Sequence, residues 1–322
     1  MLTRRAALTV IAGLIGAHDA RAQAFPSRNI SIVVPYPAGG PVDAVARLIA
    51  QAASGPLGQS ILVDNRGGAS GVIGAAAVAR AEPDGHNLVL GTNQTHATNQ
   101  SLLKNCPYDA VRDFAPVAGI AEIPHALVVR RGLEADSVAA LVERAKKSPG
   151  TLTYGSTGNG SASHLAAELF KIKAGVDLLH VPFRGAAPMT TELLAGRIDA
   201  TFVTLPSVVS YVDAGVLRAL ALASPQRAAR LPNMPTLAEA GIAGVEADAW
   251  FALFAPAKTP SDALHKIYNA VSYSLSAKTA SDALAAQGMT LALRPPDAVA
   301  VWLPGEVTKW AAVIKAAGVV VE

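Results

Sequence analysis

The chain has 322 residues, a formal net charge of +3 and one cysteine, Cys106. A single cysteine excludes an intrachain disulfide, and a chain of this length buries enough apolar surface to fold without one, usually as two domains. A small net charge without a Lys/Arg cluster argues against nucleic acid as a partner. We interpret the Cys106 thiol as a small buried hydrophobe rather than a nucleophile.

The first 24 residues have the pattern of a secretory signal peptide. Arg4 and Arg5 precede an apolar run of 12 residues, and two A-x-A cleavage sites end at Ala22 and Ala24. The run is too short to span a membrane. Its removal takes away three arginines and one aspartate, which lowers the formal net charge from +3 to +1. We therefore predict export to the periplasm with cleavage of the signal peptide; a buried N-terminal helix is the alternative.

Short β-rich runs then alternate with longer Ala/Leu-rich patterns of helical period, such as DAVARLIAQAA and SHLAAELFKI. This alternation predicts an α/β architecture with largely parallel sheets. The predicted strands are Ile30–Pro35, Ile61–Asp64, Leu88–Gly91, Leu127–Arg130, Leu152–Gly155, Leu178–Val181, Ala200–Val203, Ala219–Ala223, Phe251–Ala255 and Thr290–Leu293.

No long linker divides the chain, so short crossings would join two domains. The stretches around Pro124–Arg130 and Ala247–Pro256 are the best candidates for these crossings. A chain that passes twice between its domains leaves a cleft with a two-strand hinge, where ligand sites often lie. The predicted units are a signal peptide at 1–24, a discontinuous lobe at 25–125 plus 247–322, and a second lobe at 126–246.

The first of four glycine-containing loops at strand–helix junctions runs from residue 35 to 43. Gly39 and Gly40 allow close approach to the backbone, Pro41 suits the first helical position, and Asp43 can cap free N–H groups. Such a junction exposes N–H groups at the positive end of a helix dipole. This loop is consistent both with an anion site and with a simple helix start.

The second loop, residues 64–71, does not match a nucleotide-binding motif. Gly68, Gly71 and Gly74 give the spacing G-x-x-G-x-x-G, which differs from the dinucleotide fingerprint, and no P-loop sequence occurs. Arg66 either pairs with Asp64 or shapes the loop. Nucleotide binding is therefore disfavoured.

The third loop, residues 154–164, brings together small hydroxyls and free N–H groups that suit a carboxylate. Ser161 or Ser163 can equally be the N-cap of the next helix. The fourth loop, residues 181–188, is followed by Asp199, whose carboxylate either caps a loop or bonds a ligand or water. Because the carboxyl ends of parallel strands share one edge of a sheet, four such loops favour a ligand site.

Enzyme signatures are missing from the sequence. It contains no G-x-S-x-G, H-E-x-x-H or C-x-x-C motif, and its histidines lack the spacing of metal ligands. These features favour the binding of a ligand over its chemical transformation, and we expect no catalytic residue, metal or cofactor.

Motifs from about Pro26 onward occur in the order and spacing of one known family. They include VPYPAGGPVDAVARLIA, VDNRGGASGVIGA, GTNQTHATNQSL, CPYDAVRDFAPVA, YGSTGNGSASHLAAELF, HVPFRGAAPMTTELLAGRIDATF and MPTLAEAG followed by WFALFAP. The chain resembles the Bug family, the extracytoplasmic substrate-binding proteins of tripartite tricarboxylate transporters. The resemblance implies an α/β type II periplasmic binding protein fold: two lobes joined by two crossing segments, with a ligand cleft between them.

The family resemblance also implies a ligand site. Members typically hold a ligand carboxylate with main-chain groups and bridging waters of the first and third loops. Val42 departs from the family's small polar residue, which would remove a hydroxyl near the pocket, and Cys106 replaces an aliphatic one. Carried over to this sequence, the implied ligand-binding residues are Tyr36, Ala38, Gly39, Asp43, Thr95, Ser156, Thr157, Gly160, Ser161 and Asp199.

The resulting expectation is a monomeric periplasmic protein that captures a small organic carboxylate for membrane permease subunits. Two alternatives stay open at this point. One is a secreted hydrolase or lyase that uses His164 with Ser161 or Asp199, and the other is a ligand sensor for a membrane signalling partner.

Overall fold

The computed structural model describes residues 25–228 and 230–319. The predicted signal peptide at 1–24 lies outside the described residues. Among those described, no helix is both long and apolar enough to cross a lipid bilayer.

The strands follow the β-rich runs of the sequence. Ten of the predicted strands are found, with ends that differ from the prediction by at most two residues. In chain order the strands are β1 (Ile30–Val34), β2 (Ile61–Asn65), β3 (Asn87–Thr92), β4 (Phe114–Ile123), β5 (His125–Arg130), β6 (Thr153–Ser156), β7 (Leu179–Pro182), β8 (Ala200–Thr204), β9 (Leu217–Leu222), β10 (Ala249–Pro256) and β11 (Thr290–Arg294).

The helices start and end at residues suited to those positions. Pro41 occupies the first position of α1, and Ser161 caps α5 with its side chain; left-handed Gly58 and Gly175 end the same two helices. In chain order the helices are α1 (Pro41–Leu57), α2 (Val72–Ala79), α3 (Asn99–Leu102), α4 (Val138–Lys147), α5 (Ala162–Ala174), α6 (Ala186–Leu194), α7 (Val209–Asp213), α8 (Ser261–Leu275), α9 (Lys278–Ala286) and α10 (Pro296–Ala317).

The strands form two sheets, with orders β11-β4-β10-β3-β1-β2 and β7-β6-β8-β5-β9. Among the strands of the described residues, β1 with β2 and β3, and β6 with β7 and β8, pair in parallel. The prediction of largely parallel sheets is therefore wrong, because the other pairs are antiparallel. The reason lies in the crossings: β5 and β10 enter their sheets at the edge where the parallel strands end, and so run in the opposite direction.

β4 is the strand that the sequence did not predict. Its sequence FAPVAGIAEI contains Pro116 and Gly119, which both weaken a strand pattern. The ladder between β4 and β10 accommodates them with two register shifts, which leave Val117 and Ile120 without a partner in the register. A central strand can therefore form here although its local sequence argues against it.

Two crossings connect the sheets. The chain leaves β4 at Ile123 and enters β5 at His125, and it returns between β9 and β10. The two crossings are bonded where the Ala223 amide donates to the His125 carbonyl (2.8 Å). The returning segment is bonded to itself where the Ala247 amide donates to the Ala223 carbonyl (2.8 Å). The limits of the two lobes, 25–125 plus 247–322 and 126–246, remain a prediction.

Helix α10 contacts elements of both sheets. It packs against β4, against the turn at Gln94–Thr98 and against α5. Its Trp310 is 1% exposed and belongs to the buried apolar cluster that also contains Ala97 and Leu165. The 94–98 turn follows β3 and α5 follows β6, so α10 links regions next to the carboxyl ends of both sets of parallel strands.

Candidate ligand site at the strand ends

Loop one, residues 35–43, is held together by a buried carboxylate. Gly39 adopts φ +87°, which only glycine takes easily. Asp43 Oδ2 accepts hydrogen bonds from the Gly39 amide (2.9 Å) and from Arg47 Nε (2.9 Å), and Oδ1 accepts one from Asn65 Nδ2 (3.0 Å). The bond from Arg47, helped by those from Gly39 and Asn65, lowers the pKa of Asp43 to about 2 although burial opposes the shift. The carboxylate is therefore ionised, and its hydrogen bonds join loop one to α1 and β2.

This arrangement decides which amides of loop one are open. The Gly39 N–H is taken by Asp43, so it is not available to a ligand. The amides of Ala38, Gly40 and Val42 make no hydrogen bond to another described residue. They lie at or just before the start of α1, where the helix dipole favours negative charge.

Tyr36 connects loop one to the end of β3. Its hydroxyl lies 2.9 Å from Thr92 Oγ1 and donates to Gln94 Oε1 (3.2 Å), and burial raises its pKa to about 12. Thr95 is completely buried, and its Oγ1 accepts from the Thr92 amide (3.0 Å) and lies 2.9 Å from His96 Nδ1. The structure thus brings Tyr36 and Thr95 together, but the Thr95 hydroxyl is bonded within the protein.

Hydrogen bonds fix loop three at several points between residues 156 and 161. Ser156 is completely buried, and its Oγ accepts from the Gly158 amide (3.2 Å). The Thr157 amide donates to Ser163 Oγ (2.8 Å) and the Ser161 amide donates to the Gly158 carbonyl (3.1 Å). The Gly160 amide is bonded as well, to a histidine ring described below. The hydroxyls and amides named by the sequence prediction therefore mainly shape this loop.

Open amides remain at the start of α5. Ser161 caps the helix by accepting the His164 amide (3.3 Å), but the Ala162 and Ser163 amides make no hydrogen bond to another described residue. The fourth loop is adjacent, because the Phe183 amide donates to the Ser156 carbonyl (2.9 Å). The carboxyl end of β6 therefore presents the same chemistry as that of β1: free N–H groups at a helix start.

Asp199 does not lie with these loops. It precedes β8, and its carboxylate accepts from Arg130 Nε (2.9 Å) and from the amide and hydroxyl of Thr153 (both 2.9 Å). Thr153 is the first residue of β6 and Ser156 the last, so Asp199 is roughly 10 Å from loop three along the strand. Asp199 therefore bonds the start of β6 and the end of the antiparallel β5, away from loop three, and these bonds do not support the expectation that it contacts the ligand.

Most of the chain, residues 45–319, matches the family model of the tripartite tricarboxylate transporter family receptor. The chain belongs to this family. The receptor is 35% identical over 298 residues to protein BugT of Bordetella pertussis. The aligned region covers 92% of this chain and 91% of BugT. It is 37% identical over 311 residues to the UPF0065 protein of the tcbD-tcbE intergenic region of Pseudomonas sp. (strain P51). The aligned region covers 95% of this chain and 92% of that protein.

Solved structures resemble the receptor over nearly its whole length. An R. palustris protein with adipate is 37% identical and superposes with a TM-score of 0.78, covering 92% of this chain and all of that one. MatC from Rhodopseudomonas palustris, with bound malate, is 33% identical with a TM-score of 0.74, covering 90% of this chain and all of MatC. A TctC solute binding protein from Polaromonas reaches a TM-score of 0.81 at 33% identity, covering 91% of this chain and 99% of that one. The predicted two-lobe α/β periplasmic binding protein fold is confirmed.

Three side chains that support the loops of the receptor were not predicted as site residues. Asn65 bonds Asp43 and also donates to the Tyr36 carbonyl (3.3 Å), Ser163 accepts the Thr157 amide, and His180 bonds Ser156. Asn65 and Ser163 lie in the glycine-containing loops at strand–helix junctions, so their position in the sequence was a usable signal. The partner of His180 is set by the pairing of β6 with β7, which its own sequence does not reveal.

The hydrolase alternative required His164 to act with Ser161 or Asp199. In the receptor, the His164 ring accepts the Gly160 amide through Nδ1 (3.0 Å), and only its backbone amide bonds Ser161. Asp199 is bonded to Arg130 and Thr153. Within residues 25–228 and 230–319, no three His, Cys, Asp or Glu side chains are grouped to hold a metal ion.

Proposed function

We propose that the receptor captures a small organic carboxylate in the periplasm and delivers it to the membrane permease subunits of a tripartite transporter. One observation carries the proposal: α1 and α5 both begin with free amides directly after the carboxyl end of a parallel strand. Such positions attract anions. The adipate and malate held by two solved relatives have the same chemistry.

The proposed site divides into groups that touch the carboxylate and groups that hold the loops. Exposed Ala38 and half-buried Gly40 offer amides from one lobe, and Ala162 and Ser163 offer them from the other. Arg184, exposed in the loop after β7, adds positive charge on the same side of its sheet. The supporting groups are Tyr36, Gly39, Asp43, Thr95, Ser156, Thr157, Gly160 and Ser161.

Capture works by closure of the two lobes on the ligand. A ligand shifts an equilibrium between open and closed forms only if it binds the closed form more tightly. Amides on both lobes meet this condition, since both sets can reach one carboxylate only when the lobes close. The crossings next to His125 and Ala223 lie beside the same strand ends and serve as the hinge.

The same proposal covers the oligomeric state of the receptor, its chemistry and its export. The receptor acts as a monomer, performs no chemistry and needs no cofactor. Its first 24 residues direct export and are cleaved at Ala22 or Ala24. The Arg4–Arg5 start, the apolar run and the A-x-A sites support this processing.

A thermal-shift screen of the chain that begins at Phe25 tests the proposed function. The panel contains adipate, malate and related acids, each beside its uncharged diamide. An acid at about 100 times its dissociation constant should add about 2.7 kcal/mol of stability and raise the melting temperature by about 5 °C, while the diamide leaves it unchanged. Equal shifts for acids and diamides, or no shift with any acid and no ligand found by native mass spectrometry, would contradict capture of a carboxylate.

A further inference from the structure

Two histidine rings lie against loop three. His164, in the first turn of α5, and His180, in β7, stack with ring centroids 3.9 Å apart and planes inclined by 10°. Tyr154 lies beside both rings, with centroid distances of 4.9 Å to His180 and 6.3 Å to His164. Each histidine bonds the loop: His180 Nε2 lies 2.6 Å from Ser156 Oγ, and His164 Nδ1 accepts the Gly160 amide at 3.0 Å.

These bonds fix the protonation of the pair. An amide N–H donates to His164 Nδ1, so that nitrogen carries no proton and the ring is neutral with its proton on Nε2. Burial, helped by the neighbouring His180 ring, lowers the pKa of His164 to about 4. Burial also lowers the pKa of His180. At neutral pH the two stacked rings are therefore uncharged.

The charged groups around the pair offset a charge on it only in part: Glu168 raises the pKa of both histidines, but Lys171 lowers it and burial outweighs both. Glu168 of α5 accepts a hydrogen bond from the Tyr154 hydroxyl (2.5 Å) and from Lys171 Nζ (2.9 Å). Lys171 also lies 3.9 Å from Asp177. Glu168 also bonds Tyr154 and Lys171, so a protonated ring would stay buried beside a cation and a second imidazole, with only a shared carboxylate near it.

We propose that His164 and His180 are positioning residues of the ligand loop: as a neutral stacked pair they hold residues 156–160 in the shape that binds a carboxylate, and protonation of the pair releases it. The inference rests on the proposed function. A proton on His164 Nδ1 would point at the Gly160 N–H, and two imidazolium rings would repel. Either event moves the loop, so ligand affinity falls in acid even though positive charge by itself attracts a carboxylate.

Variants of His164 separate positioning from simple packing. His164→Asn keeps an acceptor near the position of Nδ1 but cannot be protonated in this pH range, whereas His164→Leu removes the acceptor. The probe is adipate or malate, whichever gives the larger thermal shift, measured by titration calorimetry. We expect His164→Leu to lose affinity by about tenfold at about pH 7, as for one lost hydrogen bond, and His164→Asn to stay within about threefold of the wild type.

The pH profile is the second readout. In the released loop the His164 ring regains its ordinary pKa of about 6.5, so protonation between about pH 7 and pH 5 favours the released loop. We therefore expect the affinity of the wild type to fall by about tenfold more than that of His164→Asn over this range. Protonation of the ligand affects both proteins equally and cancels in this comparison. His265→Asn, at an exposed histidine of α8, is the matched control and should follow the wild-type profile. Parallel profiles for the wild type and His164→Asn would overturn the release by protonation.

The ligand-free protein provides an independent test if His164→Leu fails to fold. Long-range proton–nitrogen NMR spectra should find His164 Nδ1 unprotonated at about pH 7, with the Gly160 amide protected from exchange. A protonated Nδ1 would overturn the positioning role. Tight binding of the acid by the wild type and equally by a folded His164→Leu would overturn that role alone. No binding by the wild type would overturn the proposed function, and the role in ligand release with it.

Discussion

Urea should unfold the chain that begins at Phe25 at a clearly lower concentration at about pH 5 than at about pH 7. The cause is a set of buried histidines that stay neutral in the folded protein. Burial lowers the pKa of His96 to about 3. Burial is also the largest cause of the lowered pKa values of His125 and His164, which are both about 4. In the unfolded chain these rings take up protons near about pH 6.5. Acidification below that pH therefore favours the unfolded chain, and the free energy of unfolding falls.

The size of this effect follows from the difference between folded and unfolded pKa values. Each of the three histidines costs about 2 kcal/mol of unfolding free energy between about pH 7 and pH 5. Asp248 acts in the opposite direction, because burial raises its pKa to about 7 although a bond from Ser224 opposes this. In the folded protein Asp248 holds a proton that the unfolded chain releases. Acidification from about pH 7 to pH 5 therefore lets Asp248 add about 2 kcal/mol to the free energy of unfolding. Together with the three histidines, this leaves a net loss of about 3 to 4 kcal/mol.

The substitution Asp248→Asn tests whether Asp248 offsets part of the stability that the three histidines lose in acid. The amide retains an acceptor for the Ser224 hydroxyl but does not titrate, so the loss of stability between the two pH values should grow to about 6 kcal/mol. The exposed His265 is the control, and His265→Asn should leave the pH dependence as it is in the wild type. Equal urea midpoints at both pH values in the wild type would contradict neutral burial of the three histidines.

Replacing Asp43 by alanine should both destabilise the receptor and weaken its binding of an organic acid. The substitution leaves the Gly39 amide and the Asn65 side chain without their shared acceptor and removes the partner of Arg47. Loss of a buried, charge-assisted network of this kind costs about 2 to 4 kcal/mol. Because Gly39 would no longer be fixed, the open amides of Ala38 and Gly40 lose their alignment, and we expect affinity to fall by about tenfold or more.

Asp64→Ala is the matched control for this substitution. Asp64 also pairs with an arginine, Arg66, but the side chains are 38% and 50% exposed, so removal of the pair should cost less than about 1 kcal/mol. Urea unfolding and titration calorimetry with the same acid measure both effects. If Asp43→Ala resembled Asp64→Ala in stability and affinity, the carboxylate of Asp43 would not be what organises loop one.

Strand positions could be predicted from sequence, but strand directions could not. Runs such as ISIVV and ATFVT combine β-branched residues with burial and were found with ends within two residues. The direction of β5 and β10 depends on which edge of a sheet the chain enters after a crossing, and no local residue encodes that. β4 was missed because Pro116 and Gly119 weaken its pattern, while pairing with β10 overrides this weakness.

The ligand loops were predictable as loops, but the partners of their side chains were not. Glycines and small polar residues between a strand and a helix mark such a junction in any sequence. Whether Thr95 or Ser156 faces a ligand depends on the neighbours that fold against it, and both turned out to be buried and bonded within the protein. The expected ligand contact of Asp199 came from the family resemblance, and the sequence alone does not tell that its carboxylate bonds Thr153 at the start of β6, away from loop three.

A crystal structure of the receptor with the acid that gives the largest thermal shift would test the central claim most directly. The claim predicts one carboxylate between the lobes, within about 2.7 to 3.2 Å of amides at the starts of α1 and α5 or of waters bound to them. In that structure Asp43 would still accept the Gly39 amide. A carboxylate bound elsewhere, for example in the cavity of about 290 Å³ lined by Asp248, Arg227 and Arg294, would contradict the account.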